Sequence, residues 1–189
     1  MMRIGILAVQ GAFVEHQHAL EQCGASSFLI RQSRDLQTDM DALILPGGES
    51  TTMEKLLPDL HLFAPILAQI QAGLPVWGTC AGLILLAQNV IDGQVCFGTM
   101  HITAKRNAYG RQLGSFQTTA TWRGLGQIPM VFIRAPYIES TEDTVTPLAY
   151  VDKKLVAARE GNQLVTAFHP ELTTNLQVHQ YFLQMVQSK

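Results

Sequence analysis

Apolar residues in the first half of the chain alternate between unbroken runs and helical spacing. Residues 4–9 form a continuous apolar run, which is typical of a parallel strand covered on both faces. In residues 12–22, Phe13, His16 and Leu20 lie along one side of a predicted helix, and Gly24 ends it. The alternation continues with predicted strands at 27–31, 42–45 and 74–78 and predicted helices at 50–57, 62–72 and 81–89. This order predicts a parallel sheet with helices on both faces.

The second half of the chain has a different pattern. Short β-like runs separated by turn residues occupy 99–104, 115–122, 130–134, 148–150, 155–159 and 164–168. A predicted helix at 174–186 closes the chain, and one of its faces carries Leu176, His179, Phe182, Leu183 and Val186. We therefore expect a three-layer α/β fold whose mostly parallel central sheet carries additional antiparallel strands. The sequence has no repeat, low-complexity segment or linker, so we expect residues 1–189 to form a single domain.

Composition narrows the class of protein. Of 189 residues, 47% are hydrophobic and 15% are charged, with a formal net charge of −2, which indicates a globular protein without a basic surface for nucleic acid. The three cysteines, an odd number without CxxC spacing, argue against a disulfide framework and a zinc site. No apolar run is long enough to span a membrane, so we expect a soluble, cytoplasmic protein.

A cysteine between small residues stands where the strand at 74–78 gives way to the next helix. The run Gly78-Thr79-Cys80-Ala81-Gly82 is the pattern of a nucleophile elbow, a sharp turn that exposes the nucleophile. The amino end of the following helix favours the thiolate, which is the reactive form. The alternative is a buried core cysteine, because free cysteine is among the most buried residue types.

A histidine and a glutamate two residues apart follow the strand at 164–168. In extended backbone His169 and Glu171 point the same way, and Pro170 favours extended backbone at the residue before it. Glu171 could then orient His169 as the base for Cys80. The alternative is an ordinary turn with a solvated glutamate.

Two glycines after the strand at 42–45 suit an oxyanion site. Gly47 and Gly48 let the backbone approach a substrate, and the N–H of Ala81 would supply a further donor. The alternative is a Pro-Gly-Gly turn before a helix capped by Ser50, with Glu49 as a first-turn acid, and the two readings are compatible.

Two arginines and the remaining histidines complete the candidate residues. Arg106, in the polar run 106–112, could bind a substrate carboxylate or lie in a solvated loop, and Arg134 ends an apolar strand.

The other histidines form no metal pair at helical spacing with supporting ligands, so we predict no metal site and give them no catalytic role: His16, His18, His61, His101 and His179.

Several motifs together resemble one known family. The elbow and the later His-Pro-Glu run are similar to those of the class I (triad) glutamine amidotransferases. Within that class, the chain resembles the glutaminase subunit of pyridoxal 5′-phosphate synthase from its first strand to its last helix. The resemblance rests on five runs: VQGAFVEH at 9–16, PGGEST at 46–51, RNAYGRQ at 106–112, FIRAP at 132–136 and FHPELT at 168–173.

The resemblance implies a flavodoxin-like fold, an activity and a set of site residues. The family hydrolyses L-glutamine to L-glutamate and ammonia without a cofactor, with Cys80 as nucleophile, His169 as base and Glu171 as the orienting carboxylate. The positions implied for the glutamine and oxyanion sites are Gly47, Gly48, Glu49, Ala81, Arg106, Ile133 and Arg134.

The resemblance also implies a partner. In the family, the ammonia passes to a synthase subunit with a (β/α)8 barrel, and full assemblies hold twelve copies of each subunit. Alternatives are the glutaminase subunit of another amidotransferase, such as imidazole glycerol phosphate synthase, a cysteine hydrolase of the DJ-1 type, and a binding module in which Cys80 is structural.

Overall fold

The structure, a computed structural model, describes residues 1–107 and 114–188. Among these residues the strands are β1 (Arg3–Leu7), β2 (Ser26–Ile30), β3 (Ala42–Leu45), β4 (Val76–Thr79), β5 (Ala87–Ile91), β6 (Met100–Lys105), β7 (Ser115–Trp122), β8 (Gly126–Ile133), β9 (Tyr137–Thr141), β10 (Thr146–Val151), β11 (Lys154–Glu160) and β12 (Gln163–Thr166). The helices are α1 (Phe13–Gln22), α2 (Ser50–Asp59), α3 (Phe63–Gln71), α4 (Ala81–Leu86) and α5 (Gln177–Gln187), with 3-10 turns at Ser33–Gln37 and Pro170–Leu172.

Five parallel strands form the centre of the sheet. Their order is β2-β1-β3-β4-β12, and each neighbouring pair is parallel. This is the flavodoxin-like order, with β12 in the place of the fifth strand. In such a sheet ligands bind beyond the carboxyl ends of the strands, which here are followed by Gln10, Gly47, Cys80 and His169.

Antiparallel strands extend the sheet on the side of β12. Strands β11, β10, β7 and β8 follow in that order, and a branch runs from β11 through β9 to β6, each pair being antiparallel. Strand β5 ends this branch and is parallel to β6. The predicted fold class is therefore confirmed: a parallel α/β sheet with additional antiparallel strands.

Two elements differ from the sequence prediction. The helix expected at 81–89 ends at Leu86, and β5 begins at the next residue. Strand β9 was not predicted at all. Both β5 and β9 are held in place by pairing with β6. Strand β9 is distant from β6 in the sequence, and β5 is separated from β6 by a turn. Local apolar patterning does not report such pairing, so it could not separate helix from strand at residue 87.

The hydrophobic core joins both halves of the chain. Buried side chains from Ile4 in β1 to Val186 in α5 pack in one cluster, and Trp77 of β4 lies fully buried near its centre, against Phe182 of α5. Among the described residues, no helix is long and apolar enough to cross a membrane.

Candidate active site

Cys80 occupies a strained turn between β4 and α4. Its backbone has φ 49° and ψ −99°, a conformation with positive φ that side chains other than glycine rarely adopt. The backbone N–H of Cys80 donates to the carbonyl of Thr166 in β12 at 2.8 Å, which fixes the turn against the neighbouring strand. The predicted elbow geometry is therefore present, and the strain is located at the residue that carries the thiol.

The glycines on either side of Cys80 are required by close backbone contacts. A Cβ on Gly78 would overlap the backbone of Gly82, the second residue of α4. A Cβ on Gly82 would overlap the carbonyl oxygen of Leu45, the last residue of β3. Both contacts are with backbone atoms, which cannot rotate away, so the sequence pattern at the elbow reflects packing as well as the turn itself.

His169 follows β12 and binds Glu171. Its Nδ1 lies 2.7 Å from Oε1 of Glu171, and its backbone N–H donates to the carbonyl of Val131 at 2.8 Å. The contact was expected, but the reason given for it was wrong: a 3-10 turn begins at Pro170, so the two side chains are not on one face of an extended strand. The carboxylate instead reaches the ring from within a tight turn.

The charges of this buried pair support each other. Burial lowers the pKa of His169, but the Cys80 thiol and the Glu171 carboxylate outweigh it and raise the pKa to about 10. Burial raises the pKa of Glu171, but the rings of His16 and His169 outweigh it and hold the pKa below the usual range. Both side chains are at most 7% exposed, so water screens this interaction little. An imidazolium held by a carboxylate is therefore the stable form of the pair.

A cleft of about 670 Å³ opens above Cys80. It is lined by nearly all of the residues predicted to form the site, namely Gly47, Gly48, Glu49, Cys80, Ala81, Arg106, Ile133, Arg134 and His169. Glu171 does not line the cleft and contacts His169 from behind. The fold thus brings together segments that are far apart in the sequence.

The loop at Gly47 and Gly48 packs closely against the catalytic residues. A Cβ on Gly47 would overlap the ring of His169 and would lie 3.3 Å from Cβ of Cys80. The carbonyl of Gly47 accepts from the N–H of Ala12 at 3.1 Å, at the start of α1. Nearby, Ala81 is the first residue of α4, where a backbone N–H has no acceptor within the helix. The backbone at both positions can therefore approach a bound substrate.

Glu49 and Arg106 meet at one rim of the cleft. Glu49 caps α2 by accepting from the N–H groups of Thr51 and Thr52, at 3.3 and 2.8 Å, so the expectation that Ser50 is the cap was wrong. Arg106 lies 3.7 Å from Glu49 and donates to the hydroxyl of Thr51 at 3.0 Å. Of the predicted polar run 106–112, residues 108–112 lie outside the described residues.

Ile133 and Arg134 form the opposite wall. The thiol of Cys80 donates to the carbonyl oxygen of Ile133 at a sulfur–oxygen distance of 3.8 Å. Arg134 has a positive φ of 45°, and its N–H donates to the carbonyl of Gly114 at 2.6 Å. Arg134 is thus an exposed residue with a strained backbone that lines the same cleft as the nucleophile.

Comparison with known proteins places this geometry in a family. The model of the SNO glutamine amidotransferase family matches residues 6–188. The chain belongs to that family. A pyridoxal 5′-phosphate synthase subunit PdxT from Methanocorpusculum labreanum is 59% identical over 185 residues, covering 98% of both chains. One from Streptococcus pneumoniae is 54% identical over 192 residues, covering 100% of this chain and 99% of the other.

A solved structure agrees with these relatives. A crystal structure of a glutamine amidotransferase superposes with a TM-score of 0.92 at 38% identity, over 97% of this chain and 98% of that one. The predicted family, the class I amidotransferase fold and the glutaminase activity are thereby confirmed. The chain is a glutamine amidotransferase, and over its whole length it is similar to proteins named as subunits of pyridoxal 5′-phosphate synthase.

Two features of this amidotransferase site were not found in the sequence. Gln10 accepts from the N–H of Glu49 through Oε1 at 2.6 Å and so ties the end of β1 to the glycine loop. His16 and His179, which were given no role, are fully buried: His16 lies beside Glu171, and His179 contacts His16 from the other side. Their positions on the predicted apolar sides of α1 and α5 were the available signal, because a histidine there must find polar partners inside the protein.

Among residues 1–107 and 114–188, no group of three or more His, Cys, Asp or Glu side chains is arranged to hold a metal ion.

Proposed function

We propose that Cys80, His169 and Glu171 hydrolyse L-glutamine as a catalytic triad. The observation that carries this proposal is the buried His169–Glu171 pair, 2.7 Å apart, which lines the same cleft as the elbow cysteine through His169 and whose histidine pKa is raised by Cys80. In the first step, the Cys80 thiolate attacks the side-chain amide carbon of glutamine. The His169 imidazolium then protonates the departing nitrogen, so that ammonia leaves and a γ-glutamyl thioester remains.

Hydrolysis of the thioester completes the cycle. His169 is neutral after giving up its proton, so it can take a proton from water, and the resulting hydroxide attacks the thioester carbon. The carbon–sulfur bond breaks, glutamate leaves and the Cys80 thiolate is restored beside the His169 imidazolium. In both steps the negative oxygen of the tetrahedral intermediate would accept from the backbone N–H groups of Gly48 and Ala81.

We propose that the rim of the cleft holds the amino-acid end of glutamine. Arg106 and Arg134 offer guanidinium groups for the α-carboxylate, and Glu49 offers a carboxylate for the α-ammonium group. Glu49 already accepts three hydrogen bonds from the first turn of α2, so its orientation is set before substrate binds. The backbone at Gly47 and Ile133 would complete the walls on either side.

We further propose that the ammonia is channelled to a (β/α)8-barrel synthase subunit for vitamin B6 biosynthesis, in an assembly with twelve copies of each subunit. The names of the relatives support a synthase partner, since each is a subunit of pyridoxal 5′-phosphate synthase. A cytoplasmic location and a single glutaminase domain over residues 1–189 belong to the same proposal. The one hydrophobic core supports the single domain.

A glutaminase assay with and without the synthase subunit tests the chemistry. Cys80→Ala should abolish glutamate release from glutamine. Cys96→Ala is the matched control, because burial raises the pKa of the Cys96 thiol to about 12 and the residue does not line the cleft. Full activity in Cys80→Ala would refute the triad, and an unchanged rate in Cys96→Ala would show that losing a buried thiol is harmless in itself.

A further inference from the structure

Two buried histidines extend the hydrogen-bonded groups behind Glu171. His16 of α1 and His179 of α5 are both fully buried, and Nδ1 of His16 lies 3.0 Å from Nε2 of His179. The other nitrogen of His16, Nε2, lies 3.6 Å from Oε2 of Glu171 and 3.4 Å from the hydroxyl of Thr79. Neither histidine lines the cleft, so the proposed chemistry does not use them directly.

Burial favours the neutral form of both histidines. Burial lowers the pKa of His16, and the attraction of Glu171 only partly opposes it. Burial also lowers the pKa of His179, and the neighbouring His16 ring lowers it further. A neutral imidazole has one donor and one acceptor, so the contacts of the pair depend on which nitrogen carries each proton.

A proton on Nδ1 of His16 would leave one buried N–H group without a hydrogen-bond acceptor. If His16 carried its proton on Nδ1, its Nε2 lone pair would face the Glu171 carboxylate, and His179 would have an N–H on Nδ1. That N–H would be buried without an acceptor, because Nδ1 of His179 has no hydrogen-bond partner within the described part of the chain. An unpaired buried donor costs roughly 1–3 kcal/mol.

The opposite arrangement removes these conflicts. With a proton on Nε2 of each ring, His179 donates to Nδ1 of His16, and His16 directs its N–H at Glu171 and Thr79. The group left without a partner is then a lone pair on His179. Oε2 of Glu171, which has no hydrogen-bond partner among the described residues, faces a donor instead of a lone pair.

We propose that His16 is a positioning residue for the triad: its Nε2–H holds Oε2 of Glu171, so that Oε1 stays on His169, and His179 fixes the tautomer of His16. This inference rests on the proposed function of the triad. A neutral donor suits the task, because it orients the carboxylate without competing with the His169 imidazolium for its charge. A cation at the same place would weaken that attraction.

Aromatic packing fixes the two rings. The edge of Trp77 contacts both, with ring centroids 5.3 Å from His16 and 4.9 Å from His179. Trp77 is itself anchored, since its Nε1 donates to the hydroxyl of Thr166 at 3.2 Å. The ionisable groups that act on His16 are Glu171 and His169 near the 3-10 turn at Pro170–Leu172 and Glu15 on its own helix, and His16 in turn acts on His179.

Kinetics of three variants test the proposal in the presence of the synthase subunit. His16→Leu should lower kcat roughly 10- to 100-fold, the size seen when groups that orient a catalytic ligand are removed, while KM for glutamine changes by less than about 2-fold. His16→Gln should restore most of kcat, because its amide can place an N–H where Nε2 stands. His179→Leu should cost less, and should add nothing to His16→Leu, because it acts through that residue.

The pH profile separates positioning from stability. If Glu171 is held less firmly, the pKa of His169 falls, and the alkaline limb of kcat/KM should move to lower pH in His16→Leu. Phe182→Leu is the control, since Phe182 packs on Trp77 from α5 without reaching Glu171, and it should lower stability without moving the limb. A His16→Leu protein with wild-type kcat and an unmoved limb would overturn the proposal.

One measurement needs no variant and no activity. Ring ¹⁵N chemical shifts of the free chain report histidine tautomers, and we expect protonated Nε2 in both His16 and His179. A proton on Nδ1 of His16 would overturn the proposal whatever the kinetics. A wild-type protein with these tautomers but no glutaminase activity would instead refute the proposed function.

Discussion

The charge of Glu171 should set the pH range over which His169 works. Glu171→Gln keeps the shape of the side chain and an oxygen that can accept from Nδ1 of His169, but it removes the negative charge 2.7 Å from the ring. Two unit charges about 4 Å apart, the spacing of the two charge centres, interact by roughly 4 kcal/mol at an effective dielectric constant of ~20. At 1.36 kcal/mol per pKa unit, the loss corresponds to about 3 units.

The pKa of His169 should therefore fall from about 10 to ~7 in the variant. His169 must be protonated to give a proton to the leaving ammonia, so the alkaline limb of kcat/KM should follow this pKa. At pH 6 both proteins keep the proton. At pH 9, His169 would be protonated in about nine-tenths of the wild-type molecules but in only about one-hundredth of the variant molecules. Normalised to pH 6, the variant should be roughly 100-fold slower at pH 9.

A matched control is available beside the amino end of β12, whereas the site follows the carboxyl end of that strand. Glu160 lies 2.7 Å from Nδ1 of His101, the same distance as in the triad, yet neither residue lines the cleft. Glu160→Gln should leave the pH profile of kcat/KM unchanged. The same titration can be followed in the free chain by ring ¹⁵N shifts, with the His169 signal assigned by its loss in His169→Asn. An alkaline limb in Glu171→Gln that coincides with wild type would refute the electrostatic argument.

Three further predictions concern stability. Gly82→Ala should lower the free energy of unfolding, measured by urea unfolding, by about 1–3 kcal/mol or more, because the added methyl group overlaps the Leu45 carbonyl. Gly114→Ala is the control: its Cβ meets no atom of the described residues within 4 Å, so the free energy of unfolding should change by less than ~0.5 kcal/mol. Glu49→Ala removes the cap of α2 and should cost about 1 kcal/mol in the same assay, and no loss would mean that the cap is replaced by water. The pKa of His169 is raised on folding, so the contribution of this residue to stability is complete below the unfolded value of about 6.5 and is lost as pH rises to about 10. Over that range the urea midpoint of wild type should fall more than that of His169→Asn. Midpoints that change with pH in parallel in the two proteins would contradict the prediction.

Local patterns in the sequence were sufficient for much of this protein. The unbroken apolar run of β1 and the helical spacing of α1 predicted the parallel half of the sheet, because both faces of such strands are buried whatever lies beside them. The elbow was also a local signal. Cys80 has positive φ, and the close backbone contacts around it require glycine at 78 and 82. The turn is therefore recognisable from the five consecutive residues 78–82.

Contacts between distant segments had to come from the tertiary structure. The sequence suggested that His169 and Glu171 meet, but through an extended backbone, whereas a 3-10 turn brings them together. Residues 87–89 of β5 were predicted as the end of a helix, because apolar spacing within the segment does not report its pairing with β6. The roles of Glu49 as a cap and of Gln10 as an anchor of the glycine loop likewise depend on which backbone amides the fold places beside them.

His16 and His179 show the same division most clearly. The sequence determined that each histidine lies on an apolar side of its helix, and therefore that each is buried. Only the packing of α1 and α5 on the same tryptophan placed the two rings 3.0 Å apart and turned one of them toward Glu171. Burial follows from periodicity within one helix, but the partner of a buried polar group is set by the relative position of separate elements, and no local pattern encodes that position.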